Sequence, residues 1–76
     1  MEFDKEVDAR GLSCPLPVLR LKKALTELQG GQIVRVLATD PSSVKDFEAF
    51  VRQTGHELVR RKETPDKAYE FFIRHK

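Results

Sequence analysis

The segment GLSCPLPVLRLKKAL, residues 11–25, joins a loop to an apolar repeat through two prolines. Cys14, the single cysteine of the chain, stands directly before Pro15, and Pro17 follows two residues later. Proline lacks an N–H and has φ fixed at about −65°, so it is tolerated in the first turn of a helix. Apolar side chains then recur at helical spacing, at Val18, Leu21, Leu25 and Leu28. This spacing predicts a helix from Pro15 to Leu28 that ends at Gly30-Gly31.

The flanking sequence predicts a strand on each side of this helix, followed by a second helix and two more strands. FDKEVDA alternates, with Phe3, Val7 and Ala9 on one side, and IVRVLAT is a β-branched run. In DPSSVKDFEAFVRQTG, Asp40 and Gly55 are expected as N-cap and C-cap. The apolar stripe of this second helix is Val44, Phe47, Phe50 and Val51. HELVRRKET and YEFFIRH, separated by the turn PDKA, are predicted to form an antiparallel hairpin.

The order βαβαββ predicts an α/β fold, a two-layer sandwich with both helices packed on one face of a four-stranded mixed sheet. The first βαβ crossover makes its two strands parallel. Seventy-six residues without a linker or repeat are expected to form a single domain, residues 1–76. The uncovered sheet face is expected to carry Asp4, Glu6 and Asp8 together with Arg35 and Leu37. The hairpin pattern does not assign Leu58-Val59 or Phe71-Phe72 to a face.

Composition narrows the possible classes of protein. The formal charge is +2, too small for a dedicated nucleic-acid binder. No apolar run approaches the about 20 residues that span a bilayer, and the acidic start MEFDKEVD does not resemble a secretory signal. One cysteine cannot form an internal disulfide. We therefore expect a cytoplasmic protein with neither membrane nor direct nucleic-acid contacts.

Cys14 is the candidate functional residue, because the prolines place it at or next to the N-cap of the first helix. The free N–H groups of Leu16 and Val18 and the helix dipole are expected to stabilise a thiolate there and to lower its pKa. Gly11 permits a tight approach from the strand, and Arg10 brings a positive charge nearby in sequence. These features predict an exposed, activated thiolate. The alternative is an inert buried cysteine, which would lie on the apolar stripe rather than ahead of it.

Other chemistry has little support in the sequence. One cysteine and two scattered histidines do not readily supply a metal site, and no cofactor motif is present. A Cys14–His56 nucleophile pair requires the fold to bring the two residues together; a surface histidine explains His56 equally well. The basic run Arg60-Arg61-Lys62 is interpreted as a solvated strand edge.

One face of the first helix has the character of a docking surface for a partner protein. Leu16 and Leu19 fall opposite the apolar stripe, beside Arg20 and Lys23. Local packing of Leu16 against the preceding loop is the equally weighted alternative.

The stretch VDARGLSCPLPVLRLKKAL resembles the hallmark of the TusA/SirA family of small sulfur-carrier proteins. ATDPSSVKDFEAFVRQTGHEL and YEFFIRHK resemble the same family, so the likeness covers nearly the whole chain. The resemblance implies a βαβαββ sandwich and a Cys14 that receives sulfane sulfur as a persulfide. It implies that Gly11, Pro15 and Pro17 frame this cysteine, and that Asp40 and Pro41 form the turn capping the second helix. It implies a carrier acting by persulfide exchange rather than an independent turnover enzyme.

The resemblance also implies protein partners. The sulfur donor is expected to be a cysteine desulfurase or a rhodanese, and the acceptor a DsrE- or TusBCD-like protein. Relatives of the tRNA 2-thiouridine branch often carry a second cysteine where this chain has Phe50-Val51, whereas SVKDF and RQTGHEL look more like members from sulfur oxidisers. Sulfur oxidation is therefore favoured over the tRNA and molybdenum-cofactor pathways. Two alternatives from other classes are an adaptor module in which Cys14 is incidental and an RNA-binding domain.

Overall fold

The computed structural model describes residues 2–76 and contains two helices and four strands in the predicted order. The elements are β1 (Lys5–Ala9), α1 (Leu16–Thr26), β2 (Ile33–Ala38), α2 (Ser43–Thr54), β3 (Glu57–Glu63) and β4 (Tyr69–Arg74). The strands form one mixed sheet in the order β1-β2-β4-β3. β1 pairs with β2 in parallel, and the other two pairings are antiparallel. The predicted fold class is confirmed.

Both helices pack on the same face of the sheet. The buried cluster combines inward strand residues with the apolar stripes of α1 and α2; its members include Val7, Ala9, Leu21, Leu25, Val34, Val36, Phe47, Val51, Phe71 and Ile73. Phe47 of α2 meets Phe71 of β4 edge to face, with ring centroids 4.6 Å apart. Burial of these apolar side chains supplies the main driving force for folding.

The helix boundaries differ slightly from the prediction. α1 ends at Thr26, so Leu28 lies beyond the helix and packs half-buried against the core. α2 begins at Ser43 with Ser42 as N-cap, so the expectation that Asp40 is the N-cap was wrong. Asp40 instead accepts the Ser42 N–H at 3.0 Å, just before the helix starts. Gly55 is the C-cap as predicted, because its φ of 85° lies in the left-handed region that glycine adopts at little cost.

The uncovered face of the sheet carries a charged and aromatic cluster. Arg35 lies between the carboxylates of Glu6 and Glu70, with an N–O distance of 2.6 Å to each. Phe3 lies on this face rather than beside Val7 and Ala9 as predicted: the strand begins only at Lys5, and the Phe3 ring contacts Phe72 and the Arg35 guanidinium.

The last two strands are buried unequally. In β4, Phe71 faces the helices and Phe72 the uncovered side, and both are buried. β3 is an edge strand with an irregularity between Leu58 and Arg60, which interrupts the alternation there. Its basic run is exposed at the sheet edge, as the sequence predicted.

Candidate functional site

The parallel pairing of β1 with β2 brings two loops together at the carboxyl ends of these strands. The loop after β1 carries Cys14, and the loop after β2 carries Thr39 and Asp40. The Gly11 N–H donates to Thr39 Oγ1 at 2.9 Å. The Cys14 N–H donates to Asp40 Oδ2 at 2.9 Å. The second loop therefore holds the first in place. The bonded residues are separated by 28 positions for Gly11 and Thr39 and by 26 positions for Cys14 and Asp40.

Cys14 is an exposed free thiol next to the start of α1, as predicted. Pro15 is the N-cap residue, and Pro17 lies in the first turn with its ring fully buried. The peptide bond between Cys14 and Pro15 is cis. Gly11 has a φ of 80°, and no atom lies within 4 Å of the position that a Cβ would occupy. Backbone conformation, rather than crowding, is thus the reason for glycine at this position.

The prediction of a lowered thiol pKa was wrong. The pKa of Cys14 lies above its ordinary value, first because of the neighbouring Asp46 side chain, and further because of desolvation and the negative charges of Asp46 and Asp40. The Leu16 N–H, expected to point at the sulfur, donates instead to the Ser13 carbonyl at 2.9 Å.

Arg10 does not supply the expected positive charge at the thiol. Its guanidinium forms a two-pronged pair with Asp8, with Nε–Oδ1 at 2.9 Å and Nη2–Oδ2 at 3.0 Å. The same pairing lowers the pKa of Asp8 to about 2. The positive charge of Arg10 is therefore paired with Asp8 at the end of β1 and not with the thiol.

An open cleft of about 310 Å³ lies between α1 and α2 and has Cys14 at its edge. Its walls combine apolar and polar side chains: Cys14, Pro15, Val18, Lys22, Asp46, Ala49, Phe50 and Gln53. The cleft does not include His56, which stacks on Phe50 and meets His75 further along the molecule. A Cys14–His56 pair is thus not formed.

The four predicted docking residues share one exposed face of α1. Leu16 is 45% exposed and Leu19 is 50% exposed, so Leu16 is not packed away against the loop. Arg20 and Lys23 are exposed beside them and line a second, smaller cleft with β1. Lys22, which the sequence interpretation did not select, lies on the other side of the helix in the Cys14 cleft.

Asp46 is the principal site residue that the sequence interpretation missed. It lies in the first turn of α2, where an acidic residue is already explained by the helix dipole. The signal in the sequence that pointed to Asp46 was the expected parallel pairing of β1 with β2, because this pairing places the start of α2 beside the start of α1.

Within residues 2–76, no three of the potential metal-ligating side chains cluster closely enough to hold an ion. In the same range no helix has the length and apolar character needed to cross a membrane.

Comparison with known proteins relates this geometry to a family. The family model described as Sulfurtransferase TusA matches residues 5–75. Sulfur carrier protein TusA of Allochromatium vinosum is 55% identical over 73 residues, which cover 96% of this chain and 95% of the relative. A Neisseria meningitidis relative is 50% identical over 70 residues, covering 92% of this chain and 93% of that protein. The crystal structure of a SirA-like protein from Desulfitobacterium hafniense superposes with a TM-score of 0.84 at 32% identity, covering 93% of this chain and 96% of the other.

Proposed function

Because the chain belongs to the Sulfurtransferase TusA family, we propose that it is a sulfur carrier that accepts sulfane sulfur on Cys14 as a persulfide and delivers it to a partner protein. The observation that carries the proposal is the exposed, solitary thiol at the edge of the interhelical cleft. A persulfide on this sulfur stays accessible to the next protein. A second cysteine would attack the persulfide and release the cargo, and this chain has none.

The remaining site residues are proposed to support this exchange. Gly11, Pro15 and Pro17 set the path of the loop that presents Cys14, and Arg10 fixes the end of β1 through Asp8. Leu16, Leu19, Arg20 and Lys23 form the surface of α1 on which donor and acceptor proteins dock. Apolar side chains rimmed by cations suit an apolar patch with acidic surroundings on the partner.

The experiment is intact-protein mass spectrometry of the reduced wild type and of Cys14→Ser. Each is incubated with a cysteine desulfurase plus cysteine, or with a rhodanese plus thiosulfate, and then treated with reductant. We expect the wild type to gain one sulfur atom that the reductant removes, and Cys14→Ser to gain none. Absence of an adduct from both donors would contradict the proposal and leave an adaptor function, in which Cys14→Ala would keep its activity.

For the pathway, we propose sulfur oxidation with rhodanese-type donors and DsrE-type acceptors. Position 51, in the region where tRNA-branch relatives often carry a second cysteine, is a buried valine in the core. Preferential loading by the rhodanese supports this pathway. Preferential loading by the desulfurase would instead favour the tRNA 2-thiouridine or molybdenum-cofactor pathway.

A further inference from the structure

Two carboxylates lie in the neighbourhood of Cys14, and they form different contacts. Asp40 is held by backbone donors on both oxygens, the Cys14 N–H at 2.9 Å and the Ser42 N–H at 3.0 Å. Asp46 lines the cleft from the first turn of α2 and is half-buried. None of the ion pairs formed within residues 2–76 involves either carboxylate. Asp46 is therefore a cleft carboxylate without a cationic partner in the described chain.

The nearby cations do not compensate for this negative charge. Arg10 is bound to Asp8, and Lys22 lies on the α1 wall of the cleft without forming an ion pair with Asp46. The groups that raise the pKa of Cys14 are Asp46 on α2 and Asp40 in the preceding loop. In the free protein, these negative charges disfavour the nucleophilic thiolate of Cys14.

We propose that Asp46 is the contact point for a cationic side chain of the sulfur-donor protein, and that pairing of the carboxylate with this cation frees Cys14 to react. The inference rests on the proposed carrier function. The partner that fits is a protein that presents a lysine or arginine beside its own persulfide, because such a cation complements the unpaired carboxylate. Pairing removes the negative charge facing the sulfur and adds a positive one, and both changes favour the thiolate.

The transfer step then balances without an added oxidant or reductant. The Cys14 thiol gives up its proton, and its sulfur attacks the terminal sulfur of the donor persulfide. A new S–S bond forms on Cys14 while the S–S bond of the donor breaks. The inner sulfur of the donor, which belongs to its cysteine, leaves as a thiolate and takes up a proton. The donor thus ends as a thiol and Cys14 as a persulfide.

The first test measures thiol reactivity with iodoacetamide, an uncharged reagent that reports the thiolate fraction. Rates are recorded from pH 6 to 10 for the wild type, Asp46→Asn and Asp46→Glu. We expect Asp46→Asn to react about three- to tenfold faster at neutral pH, since each unit of pKa changes the thiolate fraction about tenfold. Asp46→Glu keeps the charge and is expected to stay near the wild-type profile. Identical profiles for all three proteins would overturn the proposal.

The second test measures sulfur loading of the same proteins from the protein donor that loads the wild type. We expect Asp46→Asn to be loaded about tenfold more slowly despite its more reactive thiol, and Asp46→Glu to recover most of the rate. Faster loading of Asp46→Asn would overturn the proposal, because the carboxylate would then restrain the thiol without contacting the donor. Far-UV circular dichroism verifies the fold of each variant.

Glu48→Gln is the matched control, because Glu48 lies on the same helix and is paired with Arg61 outside the cleft. It is expected to match the wild type in both tests, and a loading defect equal to that of Asp46→Asn would overturn the specific role of Asp46. The loading experiment distinguishes the carrier function of the protein from the docking role of Asp46. A wild type that is never loaded contradicts the carrier function itself, whereas normal loading of Asp46→Asn contradicts only the docking role.

Discussion

Single residues in the loop after β1 determine where the Cys14 sulfur lies. Gly11 adopts a positive φ and donates its N–H to Thr39, and Cys14 donates its N–H to Asp40. The sequence predicted the exposed cysteine and the need for glycine, since both follow from local patterns around the prolines. It did not predict the raised thiol pKa, because Asp46 reaches the thiol only through tertiary packing of α2 beside α1.

Gly11→Ala is expected to destabilise the protein by about 1 kcal/mol, because a Cβ disfavours the left-handed conformation. The open space around the Cβ position leaves no steric contribution to this loss. In a domain of this size, a drop of about 4–8 °C in the thermal midpoint is expected. Gly11→Asn is the matched variant and is expected to lose less, since asparagine tolerates this conformation better. An unchanged midpoint for Gly11→Ala would show that the loop relaxes to a negative φ.

At the scale of elements, the end of α2 and the end of β4 meet in a cluster of rings. His56 follows the Gly55 cap, stacks on Phe50 at 5.9 Å and meets His75 at 4.8 Å. The Lys76 N–H donates to His56 Nδ1 at 3.1 Å. Burial is the main cause that lowers the pKa of His56, and electrostatic repulsion from the nearby His75 and Lys76 lowers it further. The sequence was compatible with a surface histidine at position 56, but it could not show that the end of α2 and the end of β4 converge there.

The lowered His56 pKa predicts a loss of stability in mild acid. Above about pH 6.5, the ordinary histidine value, His56 is neutral in both folded and unfolded chains. As the pH falls below it, the unfolded chain binds the proton more readily, so stability decreases until the folded pKa is also passed. Urea unfolding at pH 7.5 and pH 5.5 measures the effect, and His56→Asn is expected to show a smaller decrease than the wild type. Equal decreases in both proteins would rule out His56 as the source.

At the scale of the whole molecule, the uncovered sheet face is stabilised by one buried carboxylate and its partner. Glu70 lies in the centre of the sheet with its side chain 8% exposed, and Arg35 bridges it to Glu6. Alternation in β1 and β2 predicted which side Arg35 and Leu37 occupy. It did not predict that Phe3 folds over Phe72, because that contact depends on where the strand begins.

Arg35→Ala is expected to destabilise the protein by about 2 kcal/mol, because it leaves the buried Glu70 carboxylate with Lys62, at 3.8 Å, as its remaining ion-pair partner within residues 2–76. Arg61→Ala removes an exposed ion pair with Glu48 and is expected to cost less than about 1 kcal/mol. Urea denaturation of both variants at neutral pH gives the comparison. Equal losses would mean that Arg35 contributes no more than a surface charge.

The parallel pairing of β1 with β2 divides the chemistry of the molecule between two independent stretches of chain. One stretch, 11–23, carries the sulfur and the exposed face of α1, and the other, 39–46, carries the carboxylates around the sulfur. In the proposed carrier, Asp46 at the start of α2 couples donor recognition to thiol reactivity, whereas the outer face of α1 carries none of the carboxylates that act on the sulfur. Exchanging the outer face of α1 is therefore expected to alter the choice of acceptor while the charges next to Cys14 stay the same.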